Sequence, residues 1–299
     1  MDGRKENKEQ IIIIGGGPAG VTAAIQLKRY GLEPLLLERR ELGGLLWNAN
    51  LVENYPGFPN GVRGEKLINL MRAQVERIGV EINREEVLDV GMTSENFSVI
   101  TKNGKRETKY LVIASGTKSK PIPNGVARDA RERVFTEVWP LAAVSEKQIV
   151  IVGAGDAAFD YALNLSKNRN FVTILNRGDS VKCLGLLFER AAREDRIAYR
   201  TRVAVREITF DEAATRLVVK CEARGGAESI EADYVLFAIG RDPNLDFLSD
   251  EVRQREHELV ESGRLYFVGD VKNELYRQVA IATGDGLRAA MQIYSRISK

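Results

Sequence analysis

The sequence predicts an α/β protein of two Rossmann-like dinucleotide-binding domains, the second inserted in the first, each carrying a β-meander. Three observations predict it. An apolar β-branched run enters a glycine loop and then a helical stretch twice, at 11–14 and again at 149–152. Each copy closes with an apolar strand that leaves into a glycine turn, at 110–116 and at 234–240. Between these landmarks, both copies alternate apolar and polar residues and are punctuated by turn residues, as hairpins are.

The elements follow in order. The run at 11–14 ends in Gly15-Gly16-Gly17-Pro18-Ala19-Gly20, and a helical stretch continues to Arg29 with Gly31 placed as its stop. Leu35-Leu36-Leu37 then reads as a second buried strand ending at Glu38, which completes a βαβ unit. Segments 97–101 and 108–112 flank an Asn103-Gly104 turn. In the second copy, Gly153-Ala154-Gly155-Asp156-Ala157-Ala158 opens a helix through Leu165, and a strand at 171–175 ends at Asn176-Arg177. Segments 205–210 and 216–222, with Gly225-Gly226 before the last strand, make the second meander. Too few residues follow Gly240 for a third unit, so the tail returns to the first. The expected domains are 1–113 with 245–299, and 114–244 inserted between them.

Composition narrows the chemistry. With 299 residues, 44% hydrophobic and 29% charged, the chain can bury two cores and is unlike a disordered, collagenous or disulfide-stapled one. The net charge of +2 is spread without a basic block, which argues against a nucleic-acid partner. The start, MDGRKENKEQ, lacks the apolar core of a signal peptide, and no apolar run reaches the length of a membrane span. Cys183 and Cys221 form neither a CxxC nor a zinc spacing, which fits a reducing cytoplasm. A single histidine, His257, leaves little room for His-based metal sites or for Ser-His and Cys-His catalysis. No metal site is expected. The chemistry is a cofactor's.

The glycine loops say which cofactor. In the first, Gly15 permits the tight turn, Gly17 lets backbone N–H groups approach a pyrophosphate, and Gly20 lets helix and strand pack closely. Glu38, at the end of the next strand, can accept both ribose hydroxyls, and the helix N-terminus adds positive potential. The second loop keeps Gly153 and Gly155 but has Ala158 third, a replacement this fingerprint tolerates. No carboxylate stands where Glu38 stood. Arg177, helped by Lys182, can receive a 2′-phosphate, which favours NADPH over NADH. The alternatives are a solvated loop arginine and an Asp179 that binds a 2′-hydroxyl. Two dinucleotide sites imply a flavin plus a nicotinamide, whose hydride transfer needs no protein acid or base.

Further motifs carry a resemblance. Gly43-Gly44 followed by Val52-Glu53-Asn54-Tyr55-Pro56-Gly57-Phe58 is similar to the flavin loop of the thioredoxin-reductase-like flavoproteins. Phe267-Val268-Gly269-Asp270-Val271 resembles their second flavin motif, and Tyr276-Arg277-Gln278-Val279 with Ala282-Thr283-Gly284-Asp285-Gly286 resembles their closing helix. The resemblance spans essentially the whole chain and implies FAD, NADPH (with NADH as the other option) and a homodimer. It implies FAD contacts at Gly15, Gly17, Pro18, Ala19, Gly20, Glu38, Gly44, Leu45, Asn54, Val87, Gly116, Gly269, Asp270, Arg277, Gln278 and Val279. It implies nicotinamide-dinucleotide contacts at Gly153, Gly155, Asp156, Ala157, Ala158, Asn176, Arg177, Lys182, Ile239 and Gly240.

One departure stands out. Counting back from the second glycine loop, Thr136 and Trp139 occupy the family's two redox cysteine positions. No side chain of the chain is then expected as a catalytic residue. The stretch 155–163 is also similar to ferredoxin–NADP+ reductases of this fold, which likewise lack the cysteine pair. The expected activity is an FAD-dependent NAD(P)H oxidoreductase that passes electrons to a separate acceptor, such as a small ferredoxin- or flavodoxin-type protein, a quinone or oxygen. The alternatives are a disulfide reductase of the thioredoxin reductase family using an external thiol, and a flavin- or nucleotide-binding regulatory protein without fast turnover.

Overall fold

The computed structural model describes residues 7–298; the N-terminal segment 1–6, read above for targeting signals, and Lys299 lie outside them. The chain opens with β1 (Asn7–Ile14), α1 (Pro18–Arg29), β2 (Pro34–Leu37), α2 (Gly64–Ile78), β3 (Glu81–Asn83), β4 (Val87–Met92), β5 (Phe97–Thr101) and β6 (Gly104–Ile113). It continues through β7 (Thr117–Ser119), β8 (Val134–Phe135), β9 (Gln148–Val152), α3 (Asp156–Ser166), β10 (Phe171–Asn176), α4 (Gly185–Ala192) and β11 (Ile197–Thr201). A meander follows as β12 (Ala204–Asp211), β13 (Arg216–Ala223) and β14 (Gly226–Ala232), then β15 (Tyr234–Phe237) and β16 (Arg241–Pro243). The last elements are α5 (Asp250–Gln254), α6 (Glu256–Glu261), β17 (Leu265–Phe267) and α7 (Val279–Ile297).

Two units emerge. Unit 1 takes in the chain up to Trp47, Val52–Lys118 and the chain from Asp242; unit 2 takes in Asn48–Leu51 and Ser119–Arg241. The crossings therefore fall after Lys118 and Arg241 rather than after 113 and 244. The reason is that β7 and β16 pair with each other and carry strand structure past the glycine turns. Asn48–Leu51 joins unit 2 through its polar groups, since Asn50 N–H donates to Asp160 Oδ2 at 3.0 Å and Asn48 Oδ1 accepts from Trp139 N–H at 3.0 Å.

In unit 1 the parallel strands run β3-β2-β1-β6-β17, and β6 also carries the antiparallel β5 and β4. The four consecutive isoleucines divide by parity, because alternate side chains of a strand face opposite ways. Ile11 and Ile13 join Leu27, Leu36, Val112 and Ile293 on the side of α1 and α7, while Ile12 and Ile14 join Leu35, Leu37, Phe97 and Leu259 on the other. Burial on both faces is what makes such a strand uniformly apolar. Unit 2 repeats the plan with β11-β10-β9-β15-β8, all parallel. There Ile149 and Ile151 pack with Phe159 of α3, and Val150 packs with Leu217 and Val219 of the meander.

One turn differs from expectation. Thr101 pairs with Gly104, so the β5–β6 turn is Lys102-Asn103 and not Asn103-Gly104. The register that sets Phe97 opposite Thr108 buries both side chains, and that burial outweighs the local Asn-Gly preference. Among the described residues no helix is long and apolar enough to cross a membrane.

Candidate functional site: two glycine-loop nucleotide cradles

The register of unit 1 sets Ile14 level with Leu37 and Ile113, and Ile113 level with Phe267. Gly15, Glu38, Ala114 and Val268 therefore leave the sheet along one edge, where ligands of open parallel sheets bind. Gly15 has φ +107°, and a Cβ there would overlap the Ala114 carbonyl oxygen; no other residue type fits. Gly17 is the N-cap of α1 and a Cβ on it would meet nothing within 4 Å, so it borders open space. No side chain caps α1 and no acidic residue stands in its first turn, which leaves its first N–H groups for an anion. Pro18 at the first helical position and the small buried Ala19 and Gly20 keep the approach close.

Around this cradle several expected residues meet. Glu38 Oε2 accepts from Gly16 N–H at 2.6 Å and its Oε1 accepts from Arg40 N–H at 2.9 Å, which holds the carboxylate at the strand end. Gly43 N–H donates to Gly16 O at 2.8 Å, and a Cβ on Gly44 would lie 3.3 Å from Gly17 Cα. Leu45 follows in the same short helical turn. Asn54 Nδ2 donates to Gln278 Oε1 at 2.8 Å, joining the 52–58 loop to the N-cap of α7, whose first residue is Val279. Arg277 is half-buried just before it, and Gly116 has φ +62° with open space beside it. Val87 opens β4, packed against the cluster that contains Ile14 and Leu37.

Asp285, quoted above only as part of the closing helix, proves to be a support. Its Oδ2 accepts from Gly269 N–H at 3.1 Å and from Asn273 Nδ2 at 2.7 Å, and its Oδ1 lies 3.1 Å from Lys272 Nζ. The turn that presents Asp270 is thus fixed from α7. Sequence held a signal for this, an acidic residue directly after the small residues Ala282-Thr283-Gly284, but its partner was legible only in the fold.

Unit 2 builds the second cradle in the same way. Val152 is level with Leu175 and Phe237, so Gly153, Asn176 and Ala238 leave the edge together. Gly153 repeats Gly15, with φ +137° and a Cβ that would overlap the Ala238 carbonyl oxygen. Gly155, the N-cap of α3, borders open space and α3 has no side-chain cap. Asp156 Oδ1 accepts from Leu184 N–H at 2.8 Å; Ala157 is exposed and Ala158 fully buried beneath the loop. Ile239 and Gly240 close the strand–turn, Gly240 with φ +113°.

Two residues of this loop are engaged within the fold. Asn176 is buried with its amide used inside the loop: Oδ1 accepts Gly178 N–H at 2.9 Å, and Nδ2 donates to Ser180 O at 3.0 Å and Tyr199 Oη at 2.9 Å. It braces the loop that carries Arg177. Asp179 pairs through Oδ1 with Arg202, a residue the sequence reading missed. Arg177 and Lys182 are exposed, and Lys182 N–H anchors the loop to Ala154 O at 3.0 Å.

Thr136 is half-buried and Trp139 is 46% exposed, and both belong to unit 2. Cys183 and Cys221 are both free. Burial pushes each thiol's pKa up, and Asp156 and Glu228 respectively push further, so neither is primed as a thiolate.

The residues of both cradles fit dinucleotides, FAD in unit 1 and NADPH in unit 2. Comparison with known proteins agrees. The pyridine nucleotide-disulphide oxidoreductase family model matches residues 9–286. A thioredoxin reductase of Streptomyces clavuligerus is 30% identical over 94% of this chain and 91% of its own. The crystal structure of Lactococcus lactis thioredoxin reductase superposes with a TM-score of 0.85 at 28% identity, covering 97% of this chain and 99% of that one. That of T. acidophilum thioredoxin reductase gives 0.83 at 26%, covering 98% and 100%. These relatives carry the thioredoxin reductase name, and the leaning towards a ferredoxin–NADP+ reductase finds no support in them. The chain belongs to the pyridine nucleotide-disulphide oxidoreductase family, as a flavoprotein of the thioredoxin reductase type.

Proposed function

We propose that the chain is an FAD-dependent NADPH oxidoreductase that reduces a disulfide carried by a separate molecule, using an external thiol pair. The observation that carries this reading is the pair of intact nucleotide cradles in a chain of the pyridine nucleotide-disulphide oxidoreductase family; Thr136 and Trp139 at the cysteine positions make the thiol pair external. The overall reaction takes NADPH, a proton and R–S–S–R to NADP+ and two R–SH. Bound FAD supplies the two-electron relay between them. The chain binds and orients. Glu38 fixes the FAD ribose, the α1 N–H groups take its pyrophosphate, and Asp285 holds the turn that presents Asp270. Arg177 and Lys182 supply charge to the 2′-phosphate, while Arg202 neutralises Asp179, the acidic neighbour that would repel it. Thioredoxin reductases at 30% identity support a disulfide as the acceptor.

A second reading keeps the same electron donor and replaces the disulfide with a ferredoxin- or flavodoxin-type protein, a quinone or oxygen. The missing cysteine pair favours it. Steady-state NADPH oxidation against thioredoxin disulfide, a low-molecular-weight disulfide, a quinone, ferricyanide and oxygen separates the two. Disulfide turnover that persists in a Cys183→Ser/Cys221→Ser double variant supports the first reading. Turnover confined to quinone, ferricyanide or oxygen replaces it with the second, and flavin reduction without turnover on any acceptor replaces both with a regulatory binding role.

A further inference from the structure

Unit 1 contains a second cleft, of about 1170 Å³, between β17, α7 and the segment 256–264. None of the residues assigned above to FAD lines it. Its charge is one-sided: Lys109, Arg264, Lys272, Arg288 and Arg296 face Glu256 and Asp285, an excess of three positive charges in a chain whose total is +2. Asp285 is already engaged by Gly269, Asn273 and Lys272. Lys109, Arg288 and Arg296 form no salt bridge among the described residues, and Arg264 shares only the field of Glu258, whose carboxylate is held by Arg255. Arg264 donates instead to the Glu95 carbonyl and lies over the Phe97 ring, and Lys109 lies over the Tyr110 ring.

The floor adds a second, independent observation. Tyr266 is only 9% exposed, and its hydroxyl is shielded from solvent with no acceptor for its proton among the described residues. The group beside it is the Arg296 guanidinium, which can only donate to the phenolic oxygen, so the phenolic proton has no acceptor among the described residues. Native proteins rarely bury such a donor without a partner. Arg296 itself is held in place. It lies against Gly263 so closely that a Cβ on that residue would overlap the guanidinium, and it donates to the Glu261 carbonyl at 3.4 Å. A neutral O–H donor, a fixed guanidinium and a surplus of positive charge share one complement, an oxyanion.

We propose that this cleft binds a small anionic metabolite through a carboxylate or phosphate group, with Tyr266 and Arg296 as the inner donors and Arg288 and Lys109 as the outer charges. Burial pushes the Tyr266 pKa up, so the phenol stays a protonated donor at physiological pH.

Isothermal titration of the FAD-loaded protein with citrate and with inorganic pyrophosphate tests it, the first probing carboxylate and the second phosphate. At least one probe should bind at a single site, more tightly at low salt. Affinity should fall about tenfold in Arg296→Ala and in Tyr266→Phe, the loss of one charge-assisted hydrogen bond. Tyr266→Phe removes only the unsatisfied hydroxyl, so without ligand it should melt no lower than wild type. Binding should survive in Arg177→Ala/Lys182→Ala, which strips the second nucleotide loop of its charge. Absence of heat with both probes, affinity unchanged in Arg296→Ala and Tyr266→Phe, or loss of binding in the Arg177/Lys182 variant would each overturn the proposal.

Discussion

Asp160 offers a direct test of how unit 2 handles a buried charge. It sits on α3, where burial raises its pKa from 3.8 to about 6 against the opposing pull of the Asn50 N–H and the Lys167 ammonium; Asp156 adds to the rise. A rise of this size corresponds to about 3 kcal/mol, at 1.36 kcal/mol per unit. The folded pKa is raised, so Asp160 binds its proton more tightly in the native state. Its favourable contribution is complete below about pH 3.8 and is lost as pH rises through about 6. At pH 7.5 the folded protein carries the full cost. Asp160→Asn keeps an oxygen to accept the Asn50 N–H and removes the charge. It should raise the melting temperature of unit 2 at pH 7.5 by roughly 6–12 °C, given about 2–4 °C per kcal/mol for a unit of this size. At pH 4 the two proteins should melt within about 2 °C of each other, by the same scaling. Trp139 fluorescence reports unit 2 if Trp47, in unit 1, is replaced by Phe. Equal melting at pH 7.5, with parallel pH profiles between 4 and 7, would show that Asp160 is ionised without cost and that the burial argument is wrong.

Three further outcomes follow from other contacts. Arg106 holds Glu85 with two hydrogen bonds of 2.8 and 2.9 Å inside unit 1, and Thr101 adds a third to the same carboxylate. Burial alone would raise the Glu85 pKa, but these bonds outweigh it and lower it, so its contribution is present above the ordinary glutamate range and lost as pH falls. Arg106→Ala leaves the carboxylate buried without its cation and should cost about 3–5 kcal/mol at neutral pH, read as earlier release of flavin fluorescence on heating. Gly286→Ala should cost about 1–3 kcal/mol and leak FAD on gel filtration, since its Cβ would overlap the Ala19 carbonyl and push α7 off α1. Arg177→Ala should weaken NADPH relative to NADH roughly ten- to hundredfold, and Arg202→Ala should shift the same ratio in the same direction by exposing Asp179. Titration with 2′,5′-ADP and 5′-AMP checks both variants, and equal effects on the two ligands would reduce Arg177 to a surface charge.

Sequence by itself was enough for the repeated strand–glycine-loop–helix unit, because Gly15 and Gly153 are demanded by backbone sterics within a few residues. The four isoleucines at 11–14 announced a strand buried on both faces for the same local reason. The end of each loop strand was legible too, down to Glu38 in one copy and its replacement in the other. What sequence could not decide was where side chains far apart in the chain meet. The Lys102-Asn103 turn was set by the pairing of Phe97 with Thr108, a tertiary preference stronger than the local one. Asn176 became a loop brace because Tyr199, from a neighbouring strand, supplies its acceptor. Asp179 was taken up by Arg202, Gly269 was anchored by Asp285, and Tyr266 was left in a cationic cleft. Each of these depends on hydrogen-bond geometry over a few ångströms between residues that only the folded chain brings together. Periodicity and motif spacing report the backbone's local choices, whereas the partner of a charge is chosen by packing.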